Sequence, residues 1–211
     1  MSSMTIPDRP GFAYRLRDGS EMFLAPVLPE DAWRLRDGLE RMSPQSRYLR
    51  FFEGMTEISP AQVRYFTRVD QVDHVAWGAL DMSGYPWPGL GIGRFARLDD
   101  RPATAEWALA IIDEYQSRGL GTALLAILYL EAESRQIRTL TALVLPENRF
   151  VLRWLGNLGA SIERQPDAFE INLPVNRANL QASPTGQRLA ALIDELEPHV
   201  RNTRNAPVGA L

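Results

Sequence analysis

The chain contains no cysteine and no lysine, and its only histidines are His74 and His199. Without cysteine there can be no disulfide, thiolate nucleophile or thiolate metal ligand. Two histidines also argue against a histidine-based metal site. Long apolar runs are missing: none reaches the ~18 residues that span a bilayer, and the start lacks a basic, then apolar, leader pattern. These absences predict a cytoplasmic protein with neither a resident metal nor a membrane partner. The 23 basic residues, all arginine, are outweighed by 26 acidic ones, and the net charge of −3 does not favour nucleic acid as a partner.

What is present is enough for a folded domain. The 211 residues carry 45% hydrophobic and 9% aromatic side chains, sufficient for one core. Residues 1–11 read as a loose arm. Phe12 to Leu28 reads as a hairpin turning at Asp18-Gly19, and Pro29-Glu30-Asp31 opens a helix that runs to about Arg41. Ser43-Pro44 and Ser59-Pro60 are N-cap-plus-proline starts of two short helices, and Gln62 completes a capping box in the second. Strands are predicted over 72–81, 91–98 and 104–112, and again over 139–145. Pro146 precedes a helix that Gly159 ends, and a last hairpin turns at 165–167. From Pro174 the character changes to a polar linker. An amphipathic helix over 184–196 follows, with Leu189, Leu192, Ile193 and Leu196 in a stripe, and residues 198–211 read as disordered. A free helix would leave that stripe wet, so it is expected to dock on the domain or on a second copy, as a homodimer.

The chain is organised around Gln116-Ser117-Arg118-Gly119-Leu120-Gly121-Thr122. An apolar strand precedes it, and a long helical pattern without proline follows. Strand, glycine loop and helix together aim free backbone N–H groups and the positive end of a helix dipole at an anion. The glycines let a ligand's phosphates reach the backbone. The nucleotide-hydrolase loop is excluded because no Lys follows the glycine. The dinucleotide fingerprint is excluded because its third glycine position holds Leu124. What remains, Gln-x-Arg-Gly-x-Gly-Thr, resembles the acyl-coenzyme A pyrophosphate loop of the GNAT acetyltransferase superfamily.

A second stretch narrows the resemblance. Ser-Pro-x-Ser-Arg-Tyr-x-Arg-Phe-Phe at 43–52 is similar to the N-terminal part of bacterial protein-lysine acetyltransferases of that superfamily. Two helices packing on a sheet explain the aromatics equally well, but not Arg47 and Arg50, which are substrate-side candidates. The resemblance implies an α/β fold: a GNAT-type mixed, mostly antiparallel central sheet flanked by helices. The domain would cover 12–174, with a helical extension and disordered tail over 175–211. It also implies acetyl-CoA as cosubstrate. Backbone amides of Leu109 and Ile111 would hold the pantetheine arm. Arg118, Gly119, Gly121 and Thr122 would hold the pyrophosphate, with Asn148 nearby and Gln116 also among the coenzyme-binding residues. The family's usual acid, a Tyr seven residues after that Asn, is replaced here by Leu155.

Acyl transfer to an amine needs the neutral amine. A lysine of pKa ~10.4 is neutral in only about one molecule in two thousand at pH 7, a deficit of about 4.6 kcal/mol that a positioned base can help to offset. With cysteine absent and histidine scarce, a carboxylate is the natural candidate. Period two in the strand over 104–112 puts Glu106 on a face with Ala108 and Ala110, where a ligand can approach. The resemblance places the catalytic Glu of the protein-acetylating branch in this same strand; the plainer reading is a strand-edge Glu paired with an Arg. The predicted function is N-acetylation of a protein lysine. Its rivals are a small-molecule amine acetyltransferase and a non-catalytic acyl-CoA sensor. Compositional bias accounts for the missing lysine, although an enzyme that acetylates lysines would also thereby spare itself.

Overall fold

The computed structural model describes residues 8–53 and 55–206. Eight strands form one sheet in the order β1-β2-β3-β4-β5-β6-β8-β7. They are β1 Phe12–Arg15, β2 Glu21–Pro26, β3 His74–Asp81, β4 Gly89–Arg97, β5 Thr104–Ile111, β6 Thr139–Val144, β7 Ser161–Arg164 and β8 Phe169–Pro174. Every neighbouring pair is antiparallel except β5 and β6, which run parallel. The first hairpin turns where it was expected, with Gly19 at φ 88°.

Helices cover both faces. On one lie α1 Ala32–Glu40, α2 Pro44–Phe51 and α3 Pro60–Thr67. Ser43 caps α2 by accepting from the Ser46 amide, and Ser59 and Gln62 form the capping box of α3. On the other face lies α4 Leu120–Ser134, buried almost without interruption from Leu120 to Ala132. A helix apolar all round must be covered on both sides. Here the sheet covers one side and α6 Pro184–Asn205 the other. The close seat of α4 needs glycine in β4, because a Cβ on Gly93 would stand 2.9 Å from Leu109 Cδ2 and 3.3 Å from Leu124 Cβ.

Two expectations are corrected at the ends of the chain. Residues 1–7 lie outside the described residues, but the supposed arm is tied down from Arg9, whose guanidinium bonds both oxygens of the buried Asp31 at 2.7 and 2.8 Å. The last helix does not stop at Leu196; it continues through Pro198 to Asn205. Proline inside a helix costs about 3 kcal/mol. Burial of Val200, an apolar side chain worth about 1.5–3 kcal/mol, offsets much of this. Arg204 reaches the buried Glu131 at 3.3 Å and fastens the last turn. Residues 207–211 lie outside the described residues. Leu189, Ile193 and Leu196 are fully buried in the same core as the sheet. The stripe therefore packs on its own chain. Arg177, ahead of α6, bridges Glu133 of α4 to Asp194 and Glu197 of α6 at 2.7, 2.8 and 3.1 Å.

Candidate active site

β5 and β6 pair only over Thr104–Thr139, Ala105–Leu140 and Glu106–Thr141. Beyond Glu106 the strands part, and α5 Arg149–Asn157 lines the opening through Phe150, Val151 and Trp154. The register with β4 decides which groups face it. Ile112 donates its N–H to Leu90 across β4, while Ile111 stands opposite Gly91 and Leu109 opposite Gly93. In an antiparallel ladder alternate residues bond alternate neighbours. Leu109 and Ile111 therefore turn their N–H and C=O groups away from β4, into the gap. The cleft so formed has a volume of about 1630 Å³. Glu106, exposed, sits at its apex.

The glycine loop closes one end. Gly119 has φ 99°, left-handed backbone that favours glycine, and serves as the N-cap of α4 without any side-chain cap. The amides of Leu120, Gly121 and Thr122 find no acceptor among the described residues. Three free donors at the positive end of a 15-residue helix suit an anion, so the loop fits a pyrophosphate. Gly121 has a further reason to be glycine: a Cβ there would lie 3.1 Å from Ile111 Cδ1, so its absence also seats α4 on β5.

The remaining expected residues line the cleft with one exception, and several have structural partners as well. Gln116 donates through Nε2 to the Ile111 carbonyl and the Ser46 hydroxyl, both at 3.0 Å, and so ties the end of β5 to α2. Arg118 turns to the first hairpin, where it bonds Asp18 and Ser20, and its guanidinium lies 4.4 Å from the Tyr115 ring centre. Asp18 is held low, at about 2, by hydrogen bonds from Ser20 and then by Arg118. Asn148 is the N-cap of α5, accepting from the Val151 amide at 3.3 Å. Arg47 lines neither this cleft nor the smaller cavity beside it. It sits one turn nearer the start of α2 than Arg50, which lines both. Leu155 is buried in the core. Tyr14 lines the cleft, with its hydroxyl raised above the ordinary tyrosine value by burial.

Sequence reading missed a cluster beside Glu106. Arg94 of β4 stands opposite Ala108 of β5, so the alternation that carries Glu106 and Ala108 carries it too. Its guanidinium lies 5.0 Å from the Tyr65 ring centre and 4.8 Å from that of Phe66, and its Nη1 is 3.2 Å from His74 Nε2. His74 begins β3, and burial and then Arg94 hold its pKa below the usual value. Burial and the neighbouring Arg94 charge lower Arg50 to about 10, against the opposing pull of Glu106. The available signal was an arginine in the middle of an otherwise apolar strand.

A mixed sheet with one parallel pair, splayed beside a glycine-entered helix, defines an acyl-coenzyme A-binding fold. Residues 41–159 match the acetyltransferase (GNAT) family, more than half of the chain, and the protein belongs to that family. Its members are acetyltransferases that draw the acetyl group from acetyl-CoA. The chain is 31% identical over 146 residues to Acetyltransferase Pat of Mycolicibacterium smegmatis, a match covering 69% of this chain and 43% of Pat. It therefore spans less than half the length of that relative. Acetyltransferase PA5475 of Pseudomonas aeruginosa is 30% identical over 152 residues, 72% of this chain and 81% of PA5475. Among solved structures, the GNAT domain of S. lividans PAT superposes with a TM-score of 0.71 at 28% identity, over 81% of this chain and 99% of that domain.

Proposed function

We propose that the protein transfers the acetyl group of acetyl-CoA to a lysine side chain of a protein, in the cytoplasm, with Glu106 as general base. The observation that carries this reading is the exposed Glu106 at the apex of the β5–β6 split, beside a free strand edge and an uncapped helix entered through glycine. The cleft, about 1630 Å³, has room for a coenzyme arm and an acceptor side chain together.

In this reading the free amides of Leu120, Gly121 and Thr122 take the pyrophosphate, and the edge of Leu109 and Ile111 aligns the pantetheine arm by strand-like hydrogen bonds. Arg118 joins them by leaving Asp18; that pair is surface-exposed and costs little to open. The bound coenzyme supplies an activated thioester. Glu106 takes the proton of the incoming ammonium at its carboxylate, directly or through one water, and leaves the amine neutral to attack. The departing coenzyme thiolate takes its proton from water, since Leu155 stands where the family's usual tyrosine would be.

The test is release of free coenzyme thiol from acetyl-CoA, with no acceptor, with a lysine-containing protein, and with small polyamines and amino acids. Acceleration by the protein acceptor alone supports the reading. Acceleration by small amines alone would make it a small-molecule enzyme. Tight coenzyme binding with no turnover on any acceptor would make it a sensor.

A further inference from the structure

Beside the cleft lies a smaller cavity of about 90 Å³, between the α1–α3 layer and the small-residue face of β5. Its walls are mostly apolar, Leu35, Met42 and Phe66 among them, and its charged groups are Asp31, Arg34, Arg50 and Arg94. Asp31 is already committed: Arg9, Arg34 and the Leu28 amide all bond its carboxylate. Arg34 is satisfied by Asp31 and by the Trp87 and Pro86 carbonyls. Arg50 and Arg94 are different. The Nε of each is fully buried without an acceptor among the described residues. Aromatic faces lie against both, Phe51 for Arg50 and Tyr65 with Phe66 for Arg94. Rings offset part of a cation's desolvation but accept no ordinary hydrogen bond in the plane of the fork. Two partly buried like charges near enough to repel, each with a buried Nε donor unmet, are a costly arrangement that a shared anion would relieve.

We propose that Arg50 and Arg94 form a carboxylate-binding subsite, which receives a carboxylate carried on a short aliphatic stem by one of the two substrates. The proposal rests on the acyl-transfer reading and deepens it. Arg50, Ala108 and Ala110 line both the small cavity and the main cleft, so the subsite opens at the reaction centre. A planar, singly charged group suits two guanidinium forks in an apolar chamber. A phosphate dianion would leave oxygens facing hydrocarbon. His74 Nε2 lies 3.2 Å from Arg94 Nη1, which can only donate, so this one nitrogen of the fork already has an acceptor. The carboxylate has two sources: the far end of a dicarboxylic acyl chain on coenzyme A, or an acidic group beside the acceptor amine.

Two arms separate the sources. Calorimetric titration of the whole protein with acetyl-CoA and with succinyl-CoA reads the acyl chain without any turnover. Initial rates with acetyl-CoA, on paired peptides that carry Glu or Gln beside the lysine, read the acceptor. At least about a tenfold preference for the carboxylate-bearing partner is expected in one arm, and its disappearance in Arg94→Gln and in Arg50→Gln. The arm that shows the preference names the source. Equal values in both arms, or a preference that survives the substitutions, overturn the proposal. A merely structural role would lower the melting temperature of the variants without moving these ratios, which also counts against it. Where a glutamine variant fails to fold, Arg94→Lys keeps the charge, loses the fork and should weaken the preference. Failure of the acyl-transfer reading looks different: wild-type protein would release no thiol with any amine, while the titration arm stays readable.

Discussion

Glu106 stands opposite Thr141 in the last rung that joins β5 to β6. Because the ladder stops there, the carboxylate sits where the sheet opens, and beyond it β5 faces the cleft, with only the Ile111 carbonyl taken up, by Gln116. This places an exposed carboxylate next to small residues, Ala108 and Ala110, on one face of β5.

Gly121→Val should damage the coenzyme site from two directions. The branched side chain enters the space before the free amides of α4, and its Cβ meets Ile111, 3.1 Å away. Affinity for acetyl-CoA is expected to fall at least about tenfold, or about 1.4 kcal/mol, with a modest loss in melting temperature. Calorimetric titration that returns the wild-type dissociation constant would disprove the loop's role.

The parts of the molecule legible in the sequence are those that local chemistry dictates. Ser43, Ser59 and Gln62 cap helices as their spacing required, Asp18-Gly19 turns a hairpin, and the run from Leu120 is one buried helix. Relations between distant segments were not legible. Arg118 meets Asp18 from 100 residues away. Arg94 and His74 meet only through the register of β3 with β4, in which His74 faces Ala96 and Arg94 faces Ala76. Nor could local propensity show that Pro198 would be carried through a helix, since the compensating contacts come from Val200 and Arg204 against the core and α4. Gln116, which braces the end of β5 to α2, carries no local mark of that second role.

The C-terminal helix should be integral to stability. Leu189 is fully buried in the common core, so Leu189→Ala should cost about 2–5 kcal/mol in urea denaturation. Removing residues 184–211 would strip the outer cover from α4 and should leave a poorly folded chain. An unchanged denaturation midpoint for either variant would make α6 a passive addition.

Stability should fall in mild acid through His74. Burial and Arg94 lower its pKa in the folded protein from the ordinary 6.5. Above that value both folded and unfolded chains hold it neutral, and it contributes nothing. As pH falls below about 6.5, the unfolded chain takes up a proton that the folded one refuses, so stability declines. His74→Gln keeps an acceptor for Arg94 without the titration. Between about pH 7 and 5.5 the variant should therefore lose less stability than wild type; parallel curves would refute this.

The most direct test of the account is the turnover number of Glu106→Gln, measured at saturating acetyl-CoA and acceptor. The substitution keeps the size and removes the proton acceptor from the apex of the cleft. General-base catalysis contributes about 10²–10⁴-fold, roughly 3–5 kcal/mol of barrier. The account predicts a fall of that order with nearly unchanged coenzyme affinity, and a smaller fall at high pH, where more amine is already neutral. A fall below about tenfold, or an equal loss of coenzyme binding, would contradict it and leave Glu106 as part of the strand's framework.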